Sequence, residues 1–128
     1  MTDNHTRSTP YRATHRVVGD TTVVTLRGEI DVLTAPPLST RLDTLTAGPH
    51  PDLVLDLRPV SFMDCAGLGV LCRAHNRARL RHGRVRLITE SALFLRTLRH
   101  TGLTDVFEIH PRWPDDLPGT ASADPASA

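Results

Sequence analysis

The chain has 128 residues and a mass of 14.1 kDa, which is the usual size of one domain. Hydrophobic residues make up 39% and aromatic residues only 4%, so a core can form but must be built from aliphatic side chains. The net charge of +1 gives no chain-wide attraction to nucleic acid. No apolar run approaches the roughly 20 residues that span a bilayer, and the first residues lack the pattern of a signal peptide. We therefore expect a cytoplasmic protein that contacts neither a membrane nor nucleic acid directly.

Both ends of the chain have the composition of disordered segments. Residues 1–10 are polar and without periodicity, and residues 111–128 are rich in Pro, Ala, Ser and Asp. The sequence therefore predicts a disordered arm, a folded domain at 11–110 and a disordered tail. Trp113 is the residue of this tail that is best able to pack back onto the domain.

The first elements of the domain read as a β-hairpin and a helix. Residues 11–18 and 21–27 are strand-like runs separated by a Gly-Asp pair, which is a hairpin signal. Thr34 is placed to cap a helix whose first turn holds two prolines, where missing amide donors cost little. Leucines at helical spacing follow, and Gly48 with its neighbouring proline ends the helix.

A buried strand and a long helix come next. Residues 52–57 form a nearly continuous apolar run, as expected for a strand that is covered on both faces. Asp56 conflicts with burial unless it lies at a strand end or hydrogen-bonds to the following turn. The helix is predicted from an N-cap at Asp64 to about His82, with Gly83 closing it.

This long helix has two different faces. The apolar face holds Leu68, Leu71, Cys72 and His75, and the basic face holds Arg73, Arg77 and Arg81. We interpret the basic face as solvated, with contact to an acidic partner surface as the alternative. Cys72 and His75 could form half of a metal site, but the sequence has no matching second pair, so packing against the sheet is favoured.

The remaining elements alternate between strand and helix. A strand is predicted at 84–88, a helix at about 91–101 and a last strand at 106–109. Gly102 stands where a left-handed helix cap is needed, and Leu103 could then contact Leu98. The order β-β-α-β-α-β-α-β predicts a single α/β domain with a mixed sheet, in which the N-terminal hairpin is antiparallel and the later strands are parallel.

The most informative segment for function is residues 61–69, where a strand gives way to a helix with two glycines in its first turns. Gly67 and Gly69 are poor helix formers, so their presence suggests close packing on the sheet or close approach of a partner. A nucleotide site is weakly supported, because the dinucleotide fingerprint would need a third glycine where Cys72 stands. The phosphate-binding loop needs a lysine, and the chain has none.

The two cysteines, Cys65 and Cys72, are candidate reactive groups. On one helix their Cα atoms would be about 10 Å apart, which is beyond disulfide reach. Free thiols fit a reducing compartment. A helix N-terminus favours the thiolate of Cys65 while Asp64 opposes it, and no histidine stands at a spacing typical of a catalytic base.

The sequence of residues 56–71, DLRPVSFMDCAGLGVL, resembles the signature of the STAS domain (sulphate transporter and anti-sigma factor antagonist). Residues 26–31, 83–88 and 98–103 are also similar to segments of that family, so the resemblance covers about residues 11–110. Without membrane spans, the chain looks like a stand-alone anti-sigma factor antagonist.

The resemblance implies a binding protein without enzymatic activity, cofactor or metal, and we expect a monomer or weak dimer. The implied partner is an anti-sigma factor, commonly a histidine-kinase-like serine kinase, whose capture frees a sigma factor for transcription, typically in a stress response. The kinase switches such antagonists off by phosphorylating a Ser or Thr directly after the motif's Asp. Here that position is Cys65 and the next is Ala66.

The sequence retains the docking surface that the resemblance implies, although it lacks the Ser or Thr that the kinase would phosphorylate. It comprises Asp31, Met63, Asp64, Cys65, Ala66, Gly67 and Leu68. Because Asp31 and the segment from Asp64 both stand where the chain leaves the sheet and enters a helix, we expect them to lie together at one end of the sheet. The first hypothesis is an antagonist that its kinase cannot phosphorylate. The alternatives are a sensor module in which Cys65 is a redox-sensitive thiol, a scaffold module in a larger signalling complex and, less favoured, a degenerate enzyme-like use of that thiol.

Overall fold

The computed structural model describes residues 11–118, so the predicted N-terminal arm and residues 119–128 lie outside the described residues. The elements in chain order are β1 (Arg12–Val18), β2 (Thr21–Ile30), α1 (Ala35–Leu45), β3 (Asp52–Asp56), β4 (Val60–Met63), α2 (Cys65–Leu80), β5 (Arg84–Ile88), α3 (Ala92–His100) and β6 (Glu108–His110). The sheet runs β1-β2-β3-β5-β6, and β4 pairs with β2 alone. Only β1 and β2 are antiparallel among these pairs, so the predicted mixed sheet is confirmed.

One face of the sheet, which we call the helical face, packs against residues of all three helices. Its strand residues include Val24, Leu26, Leu53, Leu55, Val85 and Leu87, which join the same buried cluster as Leu38 of α1, Leu71 of α2 and Leu98 of α3. Alternate residues of the central strands point to this face because side chains alternate along a strand. The core is mainly aliphatic, as the composition requires, with Phe107 as its one buried aromatic side chain among the described residues.

Strand β4 was not predicted from the sequence. It has four residues and none of them is fully buried, so it shows neither a continuous apolar run nor a clear alternation. It forms because β2 continues to Ile30, beyond its predicted end, and offers a partner: Ile30 pairs with Met63 in parallel register. The last strand lies at Glu108–His110 rather than at 106–109.

Asp56, the one polar residue in conflict with a buried strand, is resolved by its neighbour Arg58. The Arg58 side chain donates two hydrogen bonds of 2.9 Å to the Asp56 carboxylate, and its backbone amide donates a third of 3.1 Å. A buried carboxylate is stable only with such partners. The predicted hydrogen bond to the following turn is confirmed.

The helix ends follow the predictions in part. Gly102 has φ +73°, and the amide of Leu103 donates to the Leu98 carbonyl at 2.8 Å, as predicted for the end of α3. At the end of α2 the left-handed residue is His82, with φ +62°, and not Gly83. Thr34 does not cap α1 with its side chain, because its hydroxyl is engaged with residues that precede the helix.

The basic face of α2 is not simply solvated, and this corrects the prediction. Arg73 makes two hydrogen bonds of 2.9 Å to the Asp43 carboxylate on α1. Arg77 donates to the Asp43 carbonyl and to the Thr46 hydroxyl, and Arg81 donates to the Ala47 carbonyl at 3.2 Å. Cations there donate to carbonyl groups at and just beyond the C-terminal end of α1 and complement its dipole.

The opposite face of the sheet is covered by residues 111–118, which we call the C-terminal segment. Trp113 and Leu117 are 9% and 6% exposed and pack in one cluster with residues of three strands, which are Val23, Val54 and Ile88. The prediction of a disordered tail is therefore wrong for this segment. Residues 111–128 are rich in Pro, Ala, Ser and Asp, which predicts disorder, but the C-terminal segment also contains two apolar side chains that pack against the sheet.

Candidate functional site

The parallel pairing of β2 with β4 brings together the two aspartates that the sequence singled out. Ile30 and Met63 are paired, so Asp31 and Asp64 follow at the ends of neighbouring strands. The backbone amide of Asp64 donates to the carbonyl of Ile30 at 3.2 Å, which fixes the start of α2 beside the end of β2. The predicted placement of Asp31 next to the start of α2 is confirmed.

Asp64 is the N-cap of α2, as predicted. Its carboxylate accepts hydrogen bonds from the amides of Ala66 at 2.9 Å and Gly67 at 3.1 Å. These amides have no partner inside the helix, so the cap stabilises its first turn by about 1 kcal/mol. The carboxylate is therefore a structural group of the site as well as a negative charge on its surface.

Asp31 organises the loop between β2 and α1 in a similar way. Its carboxylate accepts from the amides of Leu33 at 2.9 Å and Thr34 at 3.1 Å. The Thr34 hydroxyl accepts from the Asp31 amide and donates to the Glu29 carbonyl. These bonds hold the loop in one conformation, and Leu33 projects from it with 80% of its surface exposed.

The two cysteines have different environments on the same helix. Cys65 is the first residue of α2 and is exposed, whereas Cys72 is half-buried and burial raises the pKa of its thiol. Both thiols are free. Cys65 therefore presents its side chain where a hydroxyl at the same position would be accessible to another protein.

Gly67 and Leu68 are buried, which separates them from the other members of the predicted docking surface. A Cβ atom on Gly67 would lie 2.6 Å from Met63 Cγ and 2.9 Å from Ile30 Cγ2. The glycine is therefore required for α2 to approach the sheet. Gly69, in contrast, is exposed and has nothing within 4 Å of an added Cβ, so no contact within the domain requires it.

Exposed apolar side chains surround this region, and the sequence analysis did not assign them to the site. Val32, Leu33, Phe62 and Leu93 are 68%, 80%, 51% and 70% exposed. The first two follow Asp31 directly, and Phe62 lies three residues before Cys65, the first residue of α2. The sequence does contain an indication of this exposed apolar surface. Val32 and Leu33 are apolar residues in a predicted loop, where polar residues are usual.

A cleft of about 290 Å³ opens beside Cys65, between β4, the start of α2 and α3. Its walls are mostly apolar, and Met63, Asp64, Cys65 and Leu68 form part of them. No histidine lines it among the described residues, so the Cys65 thiol lacks the base that a cysteine nucleophile needs. The cleft offers mostly apolar contact surface beside an exposed thiol.

Residues 11–118 hold no group of three or more His, Cys, Asp and Glu side chains arranged for a metal ion. His75, considered with Cys72 as half of such a site, packs edge-on against Phe107 with ring centroids 5.5 Å apart, and burial lowers its pKa. Among the helices in this part of the chain, none is long and apolar enough to cross a membrane.

Residues 12–115 match the sequence model of the STAS domain. This chain therefore belongs to the STAS domain family, and the match extends beyond 110 into the C-terminal segment. The anti-sigma-F factor antagonist RsfA of Mycobacterium tuberculosis is 31% identical over 116 residues, which are 88% of this chain and 90% of RsfA. The anti-sigma-B factor antagonist of Listeria monocytogenes is 38% identical over 82 residues, which are 64% of this chain and 72% of that protein.

Solved structures agree with this assignment. An anti-sigma factor antagonist from Mycobacterium paratuberculosis superposes with a TM-score of 0.72 and 27% identity, covering 80% of this chain and 86% of that one. The phosphorylated form of SpoIIAA from Bacillus has a TM-score of 0.62 at 21% identity, covering 78% and 90%, and supports the fold alone. The two sequence relatives described above are named as anti-sigma factor antagonists.

Proposed function

We propose that this protein is an anti-sigma factor antagonist that binds its anti-sigma factor through the surface around the start of α2 and so frees a sigma factor. The observation that carries the proposal is the juxtaposition of Asp31, Asp64 and Cys65 with exposed apolar side chains at one end of the sheet. Relatives with 31% and 38% identity that are named as such antagonists support it.

The composition of this surface fits a protein partner. Exposed Leu33 and Phe62 supply apolar area, and the carboxylates of Asp31 and Asp64 supply negative charge beside it. Interfaces combine an apolar centre with a polar rim, and a few large side chains contribute most of the affinity. A basic groove on the anti-sigma factor would be complementary.

Phosphorylation at the start of α2 does not control this antagonist in the proposed function. A phosphate adds about −1.5 to −2 charges and requires a hydroxyl acceptor, and Cys65 offers a thiol instead. The anti-sigma factor, if it is a histidine-kinase-like serine kinase, would therefore bind this protein without switching it off at that turn.

The direct test uses the purified chain and the anti-sigma factors of its own organism. We expect a 1:1 complex with one of them by calorimetry, and recovery of sigma-dependent transcription when the chain is added to the inhibited sigma factor. Leu33→Asp should abolish both effects, while Leu80→Asp, an equally exposed leucine at the far end of α2, should leave both intact. Equal loss in the two variants, or no complex at all, would refute the proposal.

The missing phosphoacceptor is tested with the same partner and ATP. The wild-type chain should acquire no phosphate at the first turn of α2, and Cys65→Ser should acquire one if the partner is an active kinase. Mass spectrometry locates the phosphate. Phosphate on wild-type Ser61, the exposed hydroxyl nearest in sequence, would contradict the proposed lack of a switch.

A second candidate is a sensor or scaffold module that responds to oxidation of Cys65. The observation that favours it is the exposure of this thiol, in contrast to half-buried Cys72. Rapid modification of Cys65 by peroxide, accompanied by loss of anti-sigma binding, would support the sensor. Binding that is indifferent to peroxide would support the antagonist without redox control.

A further inference from the structure

We propose that the cleft beside Cys65 binds a neutral, largely apolar small molecule, and that this molecule competes with the anti-sigma factor for the protein. The competition rests on the proposed function, whereas the binding site does not. Nothing in the similarity to known antagonists assigns a ligand to this cleft. Its chemistry, its charge, its size and its position each contribute to the inference.

The walls of the cleft combine apolar surface with a few hydroxyl groups. The apolar side chains include Leu57, Val60, Phe62, Leu68, Leu93 and Phe94. Thr89, Ser91 and Thr97, whose side chains carry hydroxyl groups, also line it. Ligand pockets typically have this composition, in which apolar contact gives affinity and a few polar groups fix orientation.

The hydroxyls retain capacity for a ligand. Ser91 Oγ accepts from the Phe94 amide at 3.1 Å, and Thr97 Oγ1 donates to the Leu93 carbonyl at 3.1 Å. Each of these bonds uses one of the three hydrogen-bonding positions that a hydroxyl has. Ser91 can still donate and Thr97 can still accept, so a ligand with one or two polar atoms can be satisfied there.

The charge of the lining selects against anions. Its ionisable side chains, among the described residues, are Asp64 and Cys65, and no arginine or histidine lines it. A phosphate or sulfonate placed there would lose water and meet a carboxylate without a compensating cation. The favoured ligand is therefore neutral.

The size of the cleft suits a small molecule. A volume of about 290 Å³ lies at the lower end of the range for ligand pockets, and two linked or fused rings fill a space of that order. A helix is about 10 Å across with its side chains and does not fit. The cleft is thus matched to a ligand and not to a partner's helix.

The position of the cleft gives such a ligand a regulatory effect. Met63, Asp64 and Cys65 belong both to its walls and to the proposed docking surface. A bound molecule would cover atoms that the anti-sigma factor must contact. Binding of either one therefore lowers the affinity of the protein for the other by the same factor. This control needs no hydroxyl at position 65.

The test uses a matched pair of fluorescent probes on the purified protein. N-phenyl-1-naphthylamine is neutral, and 8-anilinonaphthalene-1-sulfonate carries a sulfonate on a similar pair of ring systems. We expect the neutral probe to bind one site with a Kd of about 10 µM and the sulfonate to bind at least about tenfold more weakly.

Two variants of exposed α3 residues place the probe in the cleft. Thr97→Trp fills the space and should abolish probe binding, whereas Arg96→Trp, one residue away and outside the lining, should leave it unchanged. Binding that survives Thr97→Trp, or equal binding of the two probes, would overturn the site. Failure of the neutral probe to bind at about 100 µM would do the same.

The competition is measured separately by titrating the anti-sigma factor with and without saturating N-phenyl-1-naphthylamine. We expect its Kd to rise about tenfold in the presence of the probe. An unchanged Kd with the probe bound would overturn the competition while leaving the site and the proposed function intact. Absence of any anti-sigma complex would instead refute the proposed function, and the probe measurements would still decide the site.

Discussion

The two faces of the sheet are covered in different ways. The helical face is buried by three amphipathic helices whose apolar positions recur at helical spacing. The opposite face is covered by one short segment without regular structure, which contributes Trp113 and Leu117. When a helix covers a sheet face, a repeated apolar pattern over many residues predicts it. When a short segment covers a sheet face, only one or two apolar side chains indicate it.

The C-terminal segment is also held by polar contacts with the sheet. Arg86 of β5 is 1% exposed and donates to the Asp116 carboxylate at 2.8 Å. Arg16 of β1 lies over the Trp113 ring, 5.2 Å from its centroid. A buried guanidinium requires a counterion, so the segment stabilises a charge that the sheet places on this face.

The largest expected effect comes from removing the C-terminal segment. Truncation after His110 exposes the apolar patch on three strands and removes the carboxylate of Asp116 from Arg86. We expect the free energy of unfolding to fall by about 4 kcal/mol, in the range for deleting a large buried aromatic side chain. Urea denaturation measures the change.

Truncation after Pro118 is the matched control, because it leaves every contact of Trp113 and Leu117 described above in place. An equally stable protein after truncation at His110 would show that the opposite face needs no cover. That result would restore the prediction of a dispensable tail.

A glycine pair tests the packing of the helical face. Gly67→Ala should destabilise the protein by about 2 kcal/mol, because the added Cβ would overlap Met63 and Ile30. Gly69→Ala, on the same helix, meets no atom within 4 Å and should stabilise by about 0.5 kcal/mol through helix propensity. Urea denaturation of both variants gives the difference, and a null difference would contradict the close approach of α2.

The contact between α1 and α2 should contribute less. Arg77→Ala removes the donors to the Thr46 hydroxyl and the Asp43 carbonyl, and we expect a loss of about 1 kcal/mol. Arg79→Ala, an exposed arginine two residues on, should change stability by less than about 0.5 kcal/mol. Thermal unfolding distinguishes the two, and equal losses would support the solvated basic face.

The smallest effect near neutral pH concerns the ion pair of the C-terminal segment. The hydrogen bond from Arg86 lowers the pKa of Asp116, so its contribution is complete above the ordinary carboxyl range near pH 4 and is lost as pH falls through the lowered value. Trp113 is the only tryptophan of the chain, so its fluorescence reports this segment directly.

We expect the emission of Trp113 to stay constant from about pH 7 to pH 5 and to shift to the red on further acidification. Asp116→Asn should remove that acid-dependent step, and Asp115→Asn, at the neighbouring exposed position, should preserve it. If the acid-dependent red shift is unchanged in Asp116→Asn, protonation of other carboxylates causes it.

The sequence predicted the helical face and the start of α2 because both have local signals. Leucine spacing predicts the buried side of each helix, and Asp64 before two glycines predicts the capped turn. It did not predict β4 or the C-terminal segment, because both are stable only through residues distant in the chain. Val60–Met63 depends on the end of β2, and Trp113 depends on a patch that three strands assemble.

The candidate site was also predicted in part, where local sequence signals exist. Asp31 and Asp64 could be placed together because both stand where the chain leaves the sheet and enters a helix, and the fold confirms it. That Gly67 contacts the sheet and not a partner could not be read from sequence, because a helical glycine is compatible with either. The exposure of Leu93 depends on how α3 is rotated against the sheet, which only tertiary packing decides.

The most direct test of the central claim, that this protein docks through the first turn of α2, compares Cys65→Asp with Cys65→Asn. The two side chains have nearly the same shape and differ in charge. A carboxylate at this exposed position, next to the helix N-terminus, is tolerated by the fold, so both variants should melt within about 2 °C of the wild type. The account predicts that Cys65→Asp binds the anti-sigma factor at least about tenfold more weakly than Cys65→Asn, because its charge lies in the interface. Equal affinities of the two variants would contradict it.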